Sequence, residues 1–108
     1  IVVPATPTVQ KAAAYKTKAI KVSYKKASGA SGYQITYATN KSFKNAKSAS
    51  VSSKKTSAVI KNLKKGKKYY VKVRSYKKIG GKKYYSVYSK VKTVKTKEYG
   101  IANDWIII

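Results

Sequence analysis

The chain has no cysteine, no histidine and no methionine. Without cysteine there can be no disulfide scaffold. A zinc site almost always draws on cysteine or histidine, so none is expected here. A Ser-His-Asp or Cys-His arrangement would lack the base that activates its nucleophile. Acidic residues number two in 108, Glu98 and Asp104, both in the last eleven positions. They are placed too late in the chain to supply a general acid and a general base within a folded pocket. An enzyme is therefore not expected, and neither is a cofactor. No run of 18 apolar residues occurs, so no membrane-spanning helix is predicted.

What the chain has in excess is lysine. Lysine and arginine total 26, for a formal net charge of +24, and Arg74 is the single arginine. High charge favours disorder when hydrophobicity is low. Here 43% of residues are hydrophobic and eleven are tyrosines, enough for a core. A folded chain of this size exposes roughly 6,000 Å², which spaces the charges roughly 16 Å apart. That exceeds the ~8 Å Debye length at physiological salt, so self-repulsion is largely screened.

Apolar residues alternate along the chain. Ile20, Val22 and Tyr24 share one phase, with Lys21 and Ser23 between them. Tyr33, Ile35 and Tyr37 repeat the pattern, as do Tyr69, Val71 and Val73. A fourth run spans residues 85–94. Period two with β-branched and aromatic residues predicts half-buried strands. Turn signals separate them: Ser28-Gly29-Ala30-Ser31-Gly32, Lys64-Lys65-Gly66-Lys67, and Ile79-Gly80-Gly81-Lys82, which reads as a hairpin tip. Pro4 and Pro7 suit an irregular edge at the entry. Short strands with turns between them predict an all-β, antiparallel β-sandwich.

The stretch Leu63-Lys64-Lys65-Gly66-Lys67-Lys68-Tyr69-Tyr70-Val71-Lys72-Val73-Arg74-Ser75-Tyr76 resembles the E–F corner and F strand of a fibronectin type III domain. It is most similar to the lysine-rich type of Gram-positive, Clostridia-like surface proteins. The resemblance implies seven strands in an immunoglobulin-like sandwich over residues 7–96. It makes Leu63 a core residue and Tyr69 the corner tyrosine, whose OH bonds backbone upstream. Tyr24 stands where the family usually carries tryptophan, and Lys65 where it usually carries proline. Residues 30–35 resemble the entry to strand C, and residues 88–94 resemble strand G. The integrin-binding Arg-Gly-Asp loop of the family is missing at residues 78–82.

On that topology the B–C, C′–E and F–G loops share one pole, which collects Lys25, Lys26, Lys54, Lys55, Lys77, Lys78, Lys82 and Lys83 as a candidate polyanion contact. The other pole collects Lys16, Lys18, Lys41, Lys44, Lys64, Lys65, Lys67 and Lys68. Nucleic-acid readers concentrate charge on one face and rely on arginine for bidentate contacts. Even spreading and near-absence of arginine fit anionic wall polymers or glycans better than specific nucleic acid. Tyr24, Tyr33, Tyr37 and Tyr69 read as core. Tyr70, Tyr76, Tyr84, Tyr85 and Tyr88 read as surface, either a stacking platform or cross-strand stiffening. A Lys–Asn isopeptide cross-link needs a buried carboxyl, and residues 7–96 hold none. Asn40-Lys41-Ser42 is a formal glycosylation sequon that reads as a polar turn.

The ends are apolar: Ile1, Val2 and Val3, then Trp105, Ile106, Ile107 and Ile108. Residues 1–6 and 97–108 read either as linkers or as strands contacting a neighbouring copy or module. The chain opens without Met, as a processed or excised fragment would. The expectation is a non-enzymatic structural module, extracellular, on a bacterial surface or secreted: a spacer, adhesion or head-to-tail fibre subunit. The alternative is a cationic module for anionic polymers, glycans or nucleic acid.

Overall fold

The computed structural model describes residues 4–15 and 18–97. Eight strands follow in order: β1 (Thr8–Ala14), β2 (Ile20–Lys25), β3 (Gly32–Ala38), β4 (Lys47–Ser52), β5 (Ser57–Ile60), β6 (Lys68–Ile79), β7 (Lys82–Tyr85) and β8 (Lys92–Lys95). One sheet has the order β1-β2-β5; the other has β4-β3-β6-β7, with β8 also on β6. Every pairing is antiparallel. The apolar ends Ile1–Val3 and Trp105–Ile108 lie outside the described residues.

The two-residue alternation sorts the side chains. On β2, Ile20, Val22 and Tyr24 point inward and are fully buried, whereas Lys21 and Lys25 are exposed. On β6, Tyr69, Val71, Val73 and Ser75 point inward, and Tyr70, Lys72, Arg74 and Tyr76 face outward. Tyr33, Ile35, Val51, Val94 and Leu63 complete the core between the sheets, with Val9 and Ile60. Each large side chain so buried contributes roughly 1.5–3 kcal/mol. Tyr37 is only half-buried and packs against the edge of this core rather than within it.

Sequence periodicity runs one strand through residues 85–94, and the resemblance implies seven strands in all. The structure instead breaks that last strand into β7 and β8, which is why the described residues hold eight. The break is built by two serines. The Ser86 amide donates to Ser75 O (2.9 Å) while the Ser86 hydroxyl accepts from the Ser75 amide (3.0 Å). The Ser89 amide donates to Val73 O (2.7 Å), and its hydroxyl accepts from the Val73 amide (3.0 Å). Hydroxyls thus replace the carbonyls that a regular strand would present to the middle of β6. The chain is freed to bulge outward, leaving Val87 76% exposed.

Glycines at 80 and 81 take φ of 58° and 83° at the β6–β7 tip, as the paired glycines predict. Gly32 makes room for a neighbouring ring, which a larger residue would have to displace. It lies opposite Tyr76 across β3 and β6, and a Cβ there would stand 2.5 Å from the Tyr76 hydroxyl oxygen.

Candidate functional site

The loops at 26–31, 53–56 and the β6–β7 tip meet at one pole. Pairing of Gly32 with both Ser52 and Tyr76, and of Ser23 with Ser57, sets this. Lys25, Lys26, Lys54, Lys55, Lys77, Lys78, Lys82 and Lys83 are all exposed there. Lys77, Lys78, Lys82 and Lys83 ride the hairpin that projects past the Tyr76–Tyr85 pair, and Lys78 stands directly opposite Lys83. Part of this charge is already engaged. Lys83 Nζ lies 4.6 Å from the Tyr76 ring centroid and Lys82 Nζ 5.5 Å from that of Tyr84.

The outward face of β6 carries a ladder of cations and rings. Lys72 Nζ sits 4.1 Å from the Phe43 centroid and 4.2 Å from that of Tyr88. The Arg74 guanidinium lies 3.7 Å from the Tyr85 centroid and 4.6 Å from that of Tyr88, and Arg74 Nε donates to Gln34 Oε1 (2.7 Å). Tyr76 and Tyr85 meet edge to face at 6.0 Å. Each such contact contributes about 0.5–2 kcal/mol. With Lys72 and Arg74 against their rings, Tyr85 and Tyr88 brace the outer side of the sheet.

The opposite pole is organised by Tyr69 and Thr96. The Tyr69 hydroxyl accepts from the Lys64 amide (2.9 Å), closing the turn between β5 and β6. Thr96, 2% exposed, donates from Oγ1 to Lys64 O (2.6 Å) and accepts from the Lys67 amide (2.9 Å). The 39–46 loop is held by Asn40. Its Oδ1 accepts from the Lys44 amide (2.9 Å) and the Ser42 hydroxyl (2.7 Å), and its Nδ2 donates to Lys44 O (2.9 Å). The Asn-Lys-Ser triplet is therefore a turn in which the asparagine amide is already committed.

Between these two loops opens a cavity of about 690 Å³, whose wall includes Tyr37, Lys44, Lys47, Lys61, Asn62 and Lys64. Lys44 and Lys64 belong to the second lysine pole of the sequence; Lys47 and Lys61 carried no signal there. The latent signal was three asparagines, at 40, 45 and 62, two of which hold left-handed backbone (φ 58° at Asn45 and 61° at Asn62). Asparagine tolerates that region better than most residues.

In the interior, the Tyr24 and Tyr33 rings lie 4.7 Å apart. The Tyr33 hydroxyl accepts from the Ala27 amide (2.9 Å). The Tyr24 hydroxyl is buried without a partner. Burial, and secondarily Tyr33, push the Tyr24 phenol up to about 12.

The architecture is shared with solved structures. The fn3 domain of human contactin 1 is 20% identical, with a TM-score of 0.70 over 93% of this chain and 81% of that one. The chicken CNTN1 FN1-FN3 domains are 22% identical, with a TM-score of 0.72 over 87% of this chain and 33% of that one. A structure described as that of a myokine is 21% identical, with a TM-score of 0.68 over 87% and 98%. At these identities the likeness is one of fold. No curated protein matches the sequence. The fibronectin type III model matches residues 5–92, and with the corner built by Tyr69 and the two-sheet order above, the chain belongs to the fibronectin type III family.

Proposed function

We propose that the chain is a non-enzymatic structural module of an extracellular protein, a spacer or adhesion unit of the lysine-rich type carried on Gram-positive, Clostridia-like cell surfaces or secreted from them. Domains of this family are in general non-catalytic and typically extracellular modules of larger proteins. The observation that carries the reading is where the backbone enters and leaves. The Ala5 amide bonds Ser28 O at the pole of the 26–31 loop, whereas Lys97 O accepts from the Gly66 amide at the opposite pole. Modules joined through such points extend end to end, and each holds its neighbours apart by its own length. The partners are then adjacent modules or copies of the same protein, met through the apolar segments Ile1–Val3 and Trp105–Ile108.

Small-angle scattering of two copies joined in tandem tests this. The maximum dimension should approach twice that of one copy. A compact dimer with the two sandwiches side by side would overturn it.

A further inference from the structure

We propose that the cavity between the 39–46 loop and the turn after β5 is a binding site for an acidic sugar, one or two saccharide units bearing a carboxylate or phosphate. Three observations converge on that chemistry. The first is volume: about 690 Å³ is within the range of small-ligand sites and suits a mono- or disaccharide. The second is charge. Lys44, Lys47, Lys61 and Lys64 line the cavity, and no aspartate or glutamate occurs among the described residues. Four lysines thus border one concavity, with no carboxylate among the described residues to balance them, and the positive field of such a set attracts an anion from solution.

The third is the uncharged lining. Asn45, Asn62 and the half-buried Tyr37 border the same space, and none of their side chains is bonded within the described fold. Amides and phenols are the groups that read sugar hydroxyls, while Leu63 and Tyr69 give the cavity an apolar floor. The walls are fixed in advance. Asn40 ties its loop at three atoms, and Phe43 is held at φ 57° with its ring against Lys72. On the other side, Lys64 is held through its amide by Tyr69 and through its carbonyl by Thr96. A site set before the ligand arrives loses less entropy on binding.

The proposal places recognition at the pole away from Lys25, Lys54 and Lys77, and it stands independently of the spacer reading. Nuclear magnetic resonance titration of the full chain with a uronic-acid disaccharide, a sugar phosphate and a neutral disaccharide tests it. The acidic ligands, or one of them, should shift Tyr37, Asn62 and Lys64 saturably with one-to-one stoichiometry, and the neutral sugar should bind at least tenfold more weakly. The double variant K61Q/K64Q should lose tenfold or more of that affinity, and K77Q/K78Q should lose less than twofold. Asn62→Gly keeps the backbone angle, removes the amide, and should weaken binding severalfold with the spectrum otherwise unchanged. Shifts spread over the lysines of both poles, equal losses in the two lysine pairs, or no saturable binding of either acidic ligand would overturn the proposal. None of these outcomes alters the tandem scattering result.

Discussion

Tyr24→Phe should stabilise the protein, although it removes an atom from the centre of the core. The Tyr24 side chain is 1% exposed and its hydroxyl has no partner. Burying an unpaired hydroxyl costs about 1–3 kcal/mol. Deleting it leaves a void the size of one oxygen, roughly 15 Å³, which costs about 0.4 kcal/mol. The balance is a gain of roughly 0.5–2.5 kcal/mol at pH 7, or several degrees in Tm for a domain of this size. The same hydroxyl gives the change a pH signature. The Tyr24 phenol is pushed up from 10.0 to about 12 by burial. The neutral form therefore favours the folded state, fully below pH 10. The contribution is lost as pH rises from 10 to 12, because the unfolded chain ionises first. Wild type should fall behind Tyr24→Phe by a further ~1.4 kcal/mol per pH unit in that window. Paired urea titrations at pH 7, 10 and 11.5 measure both effects, and the other tyrosines and the lysines cancel in the difference. A variant less stable than wild type at pH 7, or a gap that stays flat above pH 10, would refute the reasoning.

Tyr33→Phe should act with the opposite sign, costing about 1–3 kcal/mol because the Ala27 amide loses its acceptor. Tyr69→Phe should cost a similar amount through the Lys64 amide, and an unchanged urea midpoint would show that this tyrosine does not close the turn. Arg74→Lys should not substitute for arginine, since the stacked, hydrogen-bonded guanidinium is lost; loss of about 1 kcal/mol and altered Tyr85 and Tyr88 ring shifts are expected. Salt titration against DNA, a teichoic-acid-like polymer and a neutral glycan should give one common steep slope for the polyanions if the outer lysines act only as charge. A chain ending at Lys97 should stay folded, and it should stay monomeric at high salt if the apolar end segments join neighbouring copies; equal behaviour of the full chain would make those segments linkers.

The strands with one apolar face were legible because burial follows the two-residue period: Ile20, Val22 and Tyr24, or Tyr69, Val71 and Val73. The break after Tyr85 was not. Ser86 and Ser89 have the composition of a strand, and what ends it is their hydroxyls bonding β6, a contact between residues 11 and 16 positions apart. Tyr37 has the inward phase of Tyr33 and Ile35 but sits at the strand end, where the cavity replaces the second sheet. Tyr85 and Tyr88 could be assigned to the surface, but they are half-buried, and their pairing with Lys72 and Arg74 depends on a neighbouring part of the chain. The cavity lysines were illegible as a set because Lys44 and Lys47, at the 39–46 loop and the start of β4, meet Lys61 and Lys64 of the turn after β5 only in the fold.

Modules joined end to end, as proposed, would transmit tension between the two poles of the sandwich. β1 runs away from the entry pole and β8 runs toward the exit pole, so tension applied at Ala5 and Lys97 acts along both strands. The hydrogen bonds joining β1 to β2 and β8 to β6 are then loaded together in shear. Single-molecule stretching between these two points should give one abrupt unfolding event, lengthening the chain to roughly 300 Å. Attachment at Ala5 and Gly80, on the same pole, should yield at clearly lower force. Equal forces for the two attachments, or gradual extension without an abrupt event between Ala5 and Lys97, would contradict the account.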